Sequence, residues 1–127
     1  MSTAREHGLK VLPENTFAFL IANYDYKEIR QLAGFEDFHD VLNAPIDTTT
    51  VFKKMIDIGV PMVNRHQAHN VRAKELCEIY KIAANLAKVR GKLGKETFVL
   101  FAFSGHAMID DLGRSLAICS KLEWNED

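Results

Sequence analysis

Residues Phe98 to Phe103 read FVLFAF, six consecutive side chains without a polar group. The run is too short for a helix, and its aromatic and branched residues favour extended chain, so it reads as a strand buried on both faces. Phe17 to Ala22 (FAFLIA) has the same character. Two doubly buried strands restrict the fold sharply. They belong to a parallel sheet, and parallel neighbours must be joined by crossovers long enough to hold a helix.

The intervening sequence supplies those helices. Asn43 or Asp47 can cap a helix running to Ile58, with Val51, Met55 and Ile58 on one face, Phe52 and Ile56 beside them, and Gly59 as the stop. From about Asn70 a second helix carries Leu76, Ile79, Tyr80, Ala83, Leu86 and Ala87 at spacings of three and four, and ends at Gly91. Its other face, with Arg72, Lys74, Lys81 and Lys88, is wet. Between the two, Val60 to Val63 is a strand candidate that Pro61 pushes to a sheet edge. Asn23 to Pro45 mixes Tyr24, Tyr26, Phe35 and Phe38 with charges and Gly34, and reads as a long, partly ordered surface loop of the kind that often carries function. After FVLFAF, Asp110 to Gly113 makes a turn and Ser115 to Ser120 (SLAICS) a short strand. Strand, helix, strand, helix, strand gives two right-handed crossovers. The expected fold is therefore a three-layer α/β sandwich around a mostly parallel sheet.

A hydrophobic content of 47% in 127 residues suffices for one core. We expect a single domain over residues 17–120, a flexible polar arm over 1–16 and a polar tail over 121–127. The net charge of −1 creates no field that would favour nucleic acid or an anionic membrane. The longest apolar runs are far short of the ~20 residues that span a bilayer, and the first sixteen residues lack an apolar signal core. The expectation is a cytoplasmic protein without nucleic-acid or membrane partners. Cys77 and Cys119 read as reduced thiols, since a chain with an adequate core has no need of a bridge.

The chemistry concentrates after the last long strand. In an open parallel sheet, catalytic groups gather beyond the carboxyl ends of the strands, and FVLFAF runs directly into Ser104-Gly105-His106. Gly105 lets the backbone turn there, so the imidazole can stand above the sheet, where it can serve as a general base.

FVLFAFSGHA resembles the strand-to-histidine segment of caspases, metacaspases and paracaspases, in which hydrophobic residues run into SGHG. FLIANYDYKEIRQLAG is similar to the family's opening strand and following loop, and the capped helix ending in Ile58-Gly59-Val60 is a third match. The resemblance covers about Phe17 to Ser120. It implies a caspase-like fold and peptide-bond hydrolysis by a His–Cys pair, in which the histidine assists a thiolate attacking the scissile carbonyl. On this sequence it assigns the base to His106. Ala107 stands where the family usually has glycine, whose backbone N–H helps form the oxyanion hole; alanine keeps the N–H but not the freedom to take positive φ.

The family's cysteine lies about fifty residues beyond its histidine, farther than the chain extends past His106. The expectation is a partial domain, truncated before the cysteine-bearing strand and inactive alone. Cys119, in an apolar alternation, reads as a small packed side chain, and Cys77 sits in a helix, so neither is expected to be the nucleophile. DVLNAPID carries no arginine and gives no support to aspartate specificity. Asp47 suits either the basic-residue preference of metacaspases or a helix cap.

The alternative is a non-catalytic, caspase-like protein-binding module that uses the exposed sheet edge or the Asn23 to Pro45 loop to hold a partner protein. Without the family's next strand, FVLFAF is left as an apolar edge that recruits other strands. The expected partners are thus a peptide or protein substrate, or a cover for the 98–103 edge: SLAICS folding back, a partner chain, or the rest of a longer protein. His66 and His69 could share a helical face, but no third ligand has suitable spacing, so no metal is expected. The basic run Lys88, Arg90, Lys92 and Lys95 reads as a solvated helix end, and no phosphate-binding glycine motif follows a strand. No cofactor is expected.

Overall fold

The computed structural model describes residues 11–122. Its centre is a three-stranded parallel sheet in the order β2-β1-β3, formed by β1 (Thr16–Ala22), β2 (Arg65–His69) and β3 (Phe98–Ser104). Thr16 to Ala22 pairs residue for residue with Phe98 to Ser104, and Ala18 to Ala22 pairs with Arg65 to His69. The first crossover steps outward to β2 and the second steps back across β1 to β3. Two crossovers of one hand then place their helices on opposite faces.

That placement is observed. Helix α1 (Ala44–Asp57) covers the face of Ala18 and Leu20, where Met55 and Val60 complete a buried cluster flanked by Val51, Phe52, Leu100 and Ala102. Helix α2 (Ala73–Lys92) lies on the other face, with the Tyr80 ring 5.4 Å from Phe101 and the Arg90 guanidinium 4.9 Å above Phe17. The three-layer α/β sandwich is thus observed. β1, central and almost wholly buried, is its spine, whereas β3 is an edge strand and only half-buried.

The end of α1 shows how local sequence sets local structure. Gly59, at φ +91°, lets the chain reverse, the Val60 N–H reaches the Met55 carbonyl at 2.9 Å, and the Gly59 N–H reaches Ile56 at 3.0 Å. This is a Schellman close, and its two hydrophobic ends, Met55 and Val60, pack in the core. Asn43 stands at the N-cap without a side-chain hydrogen bond, and Asp47 lies in the first turn, where the helix dipole favours a carboxylate.

Four expectations are corrected. The second strand is not Val60–Val63 but the polar Arg65–His69, because Val60 is consumed in closing α1 and Met62–Asn64 forms a 3-10 turn. His66 and His69 consequently lie three apart on a strand, face opposite sides and share no helical face. Helix α2 starts at Ala73, not Asn70, since Asn70 adopts φ 51° and its N–H extends the sheet by bonding Ala22 O at 2.9 Å. SLAICS does not fold back on β3: Ser115–Ile118 (β5) pairs antiparallel with His106–Ile109 (β4). Ahead of β1, residues 13–15 form a 3-10 turn; residues 1–10 and 123–127 lie outside the described residues. Among the described residues no helix is long and apolar enough to cross a membrane.

Candidate active site

His106 opens β4, two residues beyond the carboxyl end of β3. Its Nε2 lies 2.7 Å from the backbone carbonyl oxygen of His39. A carbonyl oxygen can only accept, so Nε2 carries a proton, and in the neutral ring the lone pair is on Nδ1. The ring is held on three sides: Tyr26 at 4.5 Å, Phe38 at 5.0 Å and His39 at 5.2 Å between centroids. This is a half-buried imidazole of defined tautomer, the state a general base requires.

Tyr26 makes the junction beneath it. The side chain is fully buried, and its hydroxyl accepts the His106 N–H at 2.8 Å while donating to the Ile118 carbonyl at 2.7 Å. His106 and Ile118 are register partners in the hairpin, so the phenol bridges its two strands at their open end. Burial pushes the Tyr26 phenol above its ordinary range against the opposing pull of the His106 N–H, and the neighbouring Cys119 adds to the rise. Gly105 is what admits the phenol. A Cβ at this position would lie 2.7 Å from the Tyr26 hydroxyl and 3.0 Å from the Asn23 carbonyl.

The loop after β1 holds both contacts to His106. Its base is closed by Val41 N–H to Tyr24 O at 3.0 Å, and Asp40 ties it across by accepting the Tyr26 N–H at 2.9 Å and the Arg30 guanidinium at 2.7 Å. Those bonds, the Arg30 one first, hold the Asp40 carboxyl below its ordinary range. Arg30 also reaches Phe38 O at 3.0 Å, fixing the backbone next to the His39 carbonyl. Asparagines finish the sheet end. Asn23, fully buried, accepts the Val71 N–H at 2.8 Å, and Asn70 Oδ1 takes the N–H groups of Tyr24 and Asp25 at 3.0 Å each and the Ser120 hydroxyl at 3.2 Å. Lys121 pairs with Glu28 at 3.3 Å and Asp25 at 3.7 Å, docking the segment after β5 on the same loop.

Of the residues singled out from sequence, His106 and Ala107 are adjacent on β4. Ala107 is exposed and its φ is negative, so this turn makes no demand for glycine. Asp110 N–H bonds Arg114 O at 2.9 Å just past the strands, and antiparallel alternation from that pair turns the Ala107 N–H away from β5. Cys119 is buried beside Tyr26 and Cys77 is exposed on α2. Among the described residues no group of three His, Cys, Asp or Glu could hold a metal. Sequence reasoning missed Tyr26, His39 and Asn70. The signal for Tyr26 was weak but present: an aromatic just past the carboxyl end of the central strand. Nothing in the residue type marks His39, which acts through its backbone. An apolar cavity of about 480 Å³ lies elsewhere, between α2 and the sheet beside Phe19, Ile79 and Leu86.

Comparison of the chain with family models, curated proteins and solved structures finds no match. The functional reading therefore rests on the residues and their geometry.

Proposed function

We propose that residues 17–120 are the histidine-bearing portion of a caspase-like cysteine endopeptidase domain. His106 is the base, the Ala107 N–H an oxyanion donor, and the thiol comes from outside the 127 residues. The observation that supports this reading is the His106 imidazole beyond the carboxyl end of a parallel strand, with its Nε2–H bonded to His39 O so that the neutral ring carries its lone pair on Nδ1. In that role Nδ1 takes the thiol proton, the thiolate attacks the scissile carbonyl, and the imidazolium returns the proton to the leaving amine. Cys119, only 9% exposed, is a poor nucleophile in that position, because reactive thiols need access and an electropositive setting.

A second reading, a non-catalytic binding module, is favoured by one observation: β5 pairs with β4, so no described strand covers the outer edge of β3. A strand from a partner protein would satisfy that edge.

The test is the denatured mass of the protein from its native source against 14.4 kDa, followed by peptide hydrolysis with the isolated protein and its His106→Ala variant. The peptidase reading expects a larger mass and cleavage that the variant loses while its circular dichroism is unchanged. Cleavage retained by the variant removes His106 from the mechanism. A mass of 14.4 kDa without cleavage selects the binding module.

A further inference from the structure

The contacts of Tyr26 are more than packing. Its hydroxyl occupies the open end of the β4–β5 hairpin, accepting from His106 N–H and donating to Ile118 O, and its ring lies edge-on to the imidazole at 4.5 Å. The residue that fixes the other side of the imidazole belongs to the same loop: His39, whose carbonyl takes Nε2–H, is next to Asp40, and Asp40 accepts the backbone N–H of Tyr26. The loop after β1 thus grips His106 twice, once through the backbone of β4 and once through the ring. The absence of a side chain at Gly105 leaves the hydroxyl room for this position.

We propose that Tyr26 is a positioning residue for His106: its hydroxyl fixes the start of β4 relative to the His39 carbonyl, and thereby determines that Nδ1 is the free nitrogen. Without the hydroxyl, the His106 N–H and the Ile118 C=O lose their shared partner, β4 gains freedom to shift, and the ring is no longer restricted to one tautomer. The phenol does this only while neutral, since it must donate and accept at once. Its burial keeps it so.

The experiment is nitrogen-15 NMR of the imidazoles in the 127-residue chain, in the wild type, in Tyr26→Phe, and in Tyr24→Phe as a control whose hydroxyl meets His69 instead. The wild type is expected to show His106 as a single Nε2–H tautomer. Tyr26→Phe, folded by circular dichroism, should lower the tautomer ratio roughly fivefold or more, since one ordinary hydrogen bond is worth about that factor and the variant loses two, while Tyr24→Phe leaves His106 unchanged. A folded Tyr26→Phe chain with an unaltered His106 tautomer overturns the proposal. If Tyr26→Phe does not fold, the wild type decides: a His106 ring mixed between tautomers there overturns the proposal, and a single Nε2–H form together with a slowly exchanging His106 amide upholds it. The inference rests on the peptidase reading only for its catalytic meaning. The tautomer is measured without substrate, so either can fail while the other stands.

Discussion

Gly105 is confined by three neighbours: the Tyr26 hydroxyl, the Asn23 carbonyl and the Phe103 ring, all within 3.0 Å of where a Cβ would stand. Two of these belong to rigid surroundings, the buried phenol and the backbone, so an added methyl cannot be absorbed by a rotamer change. Gly105→Ala should cost about 1–3 kcal/mol, the usual range for overpacking, and lower the melting temperature accordingly; an unchanged melt would mean that the phenol moves aside freely. The sequence suggested a different reason for this glycine, a sharp turn. The structure shows close approach at ordinary φ. Residue type told us that the backbone needed room there, but which atom claimed the room depended on Tyr26, distant in sequence and adjacent only after β1 and β3 pair. Ala107 shows the reverse. Its negative φ means that alanine fits the strand geometry in place of the glycine that the resemblance implies.

At the scale of elements, strands and helices with a strong apolar signature were legible, and those held by partners were not. β1, β3 and α1 announce themselves through continuous or periodic apolar residues. β2, with the sequence RHQAH, has no such pattern and is extended because its backbone completes the edge of β1. Gly59 belongs to this scale because it terminates an element: at φ +91° it is required by the reversal, and Gly59→Ala should destabilise the protein by about 1–2 kcal/mol in chemical denaturation, the cost of a left-handed conformation for an L side chain. A midpoint equal to that of the wild type would show that α1 can close another way. The hairpin β4–β5 is an independent two-stranded unit, marginal by itself. It is joined to the domain through Tyr26, Ser120 and Lys121, so SLAICS pairs beside His106 and, among the described residues, no strand pairs with the outer edge of β3.

For the molecule as a whole, polar bonds hold the loop after β1 and the segment after β5 at the sheet end, and several depend on carboxylates. Hydrogen bonds hold Asp40, Glu28 and Asp110 below their ordinary values: Asp40 through Arg30, Glu28 through the Leu122 N–H, and Asp110 through the Arg114 N–H. A depressed carboxyl stabilises the fold fully above its unfolded pKa and loses that contribution as pH falls through the folded one. Stability from these groups should therefore be flat from neutral pH down to about 5, then fall as pH drops through about 4 and below. Thermal melts across that range check this, and a melting temperature that stays level to pH 3 would deny these bonds a net role. By itself the sequence determined the parallel α/β class, the two helices and the place of His106 just beyond the carboxyl end of β3, because apolar periodicity and strand-to-turn chemistry are local. Tertiary structure alone decided that β1 and not β3 is the buried centre, that a polar pentapeptide is a strand, and that Tyr26 and the His39 carbonyl fix the imidazole. Those outcomes arise from pairings between residues tens of positions apart, and no local pattern records which groups will meet.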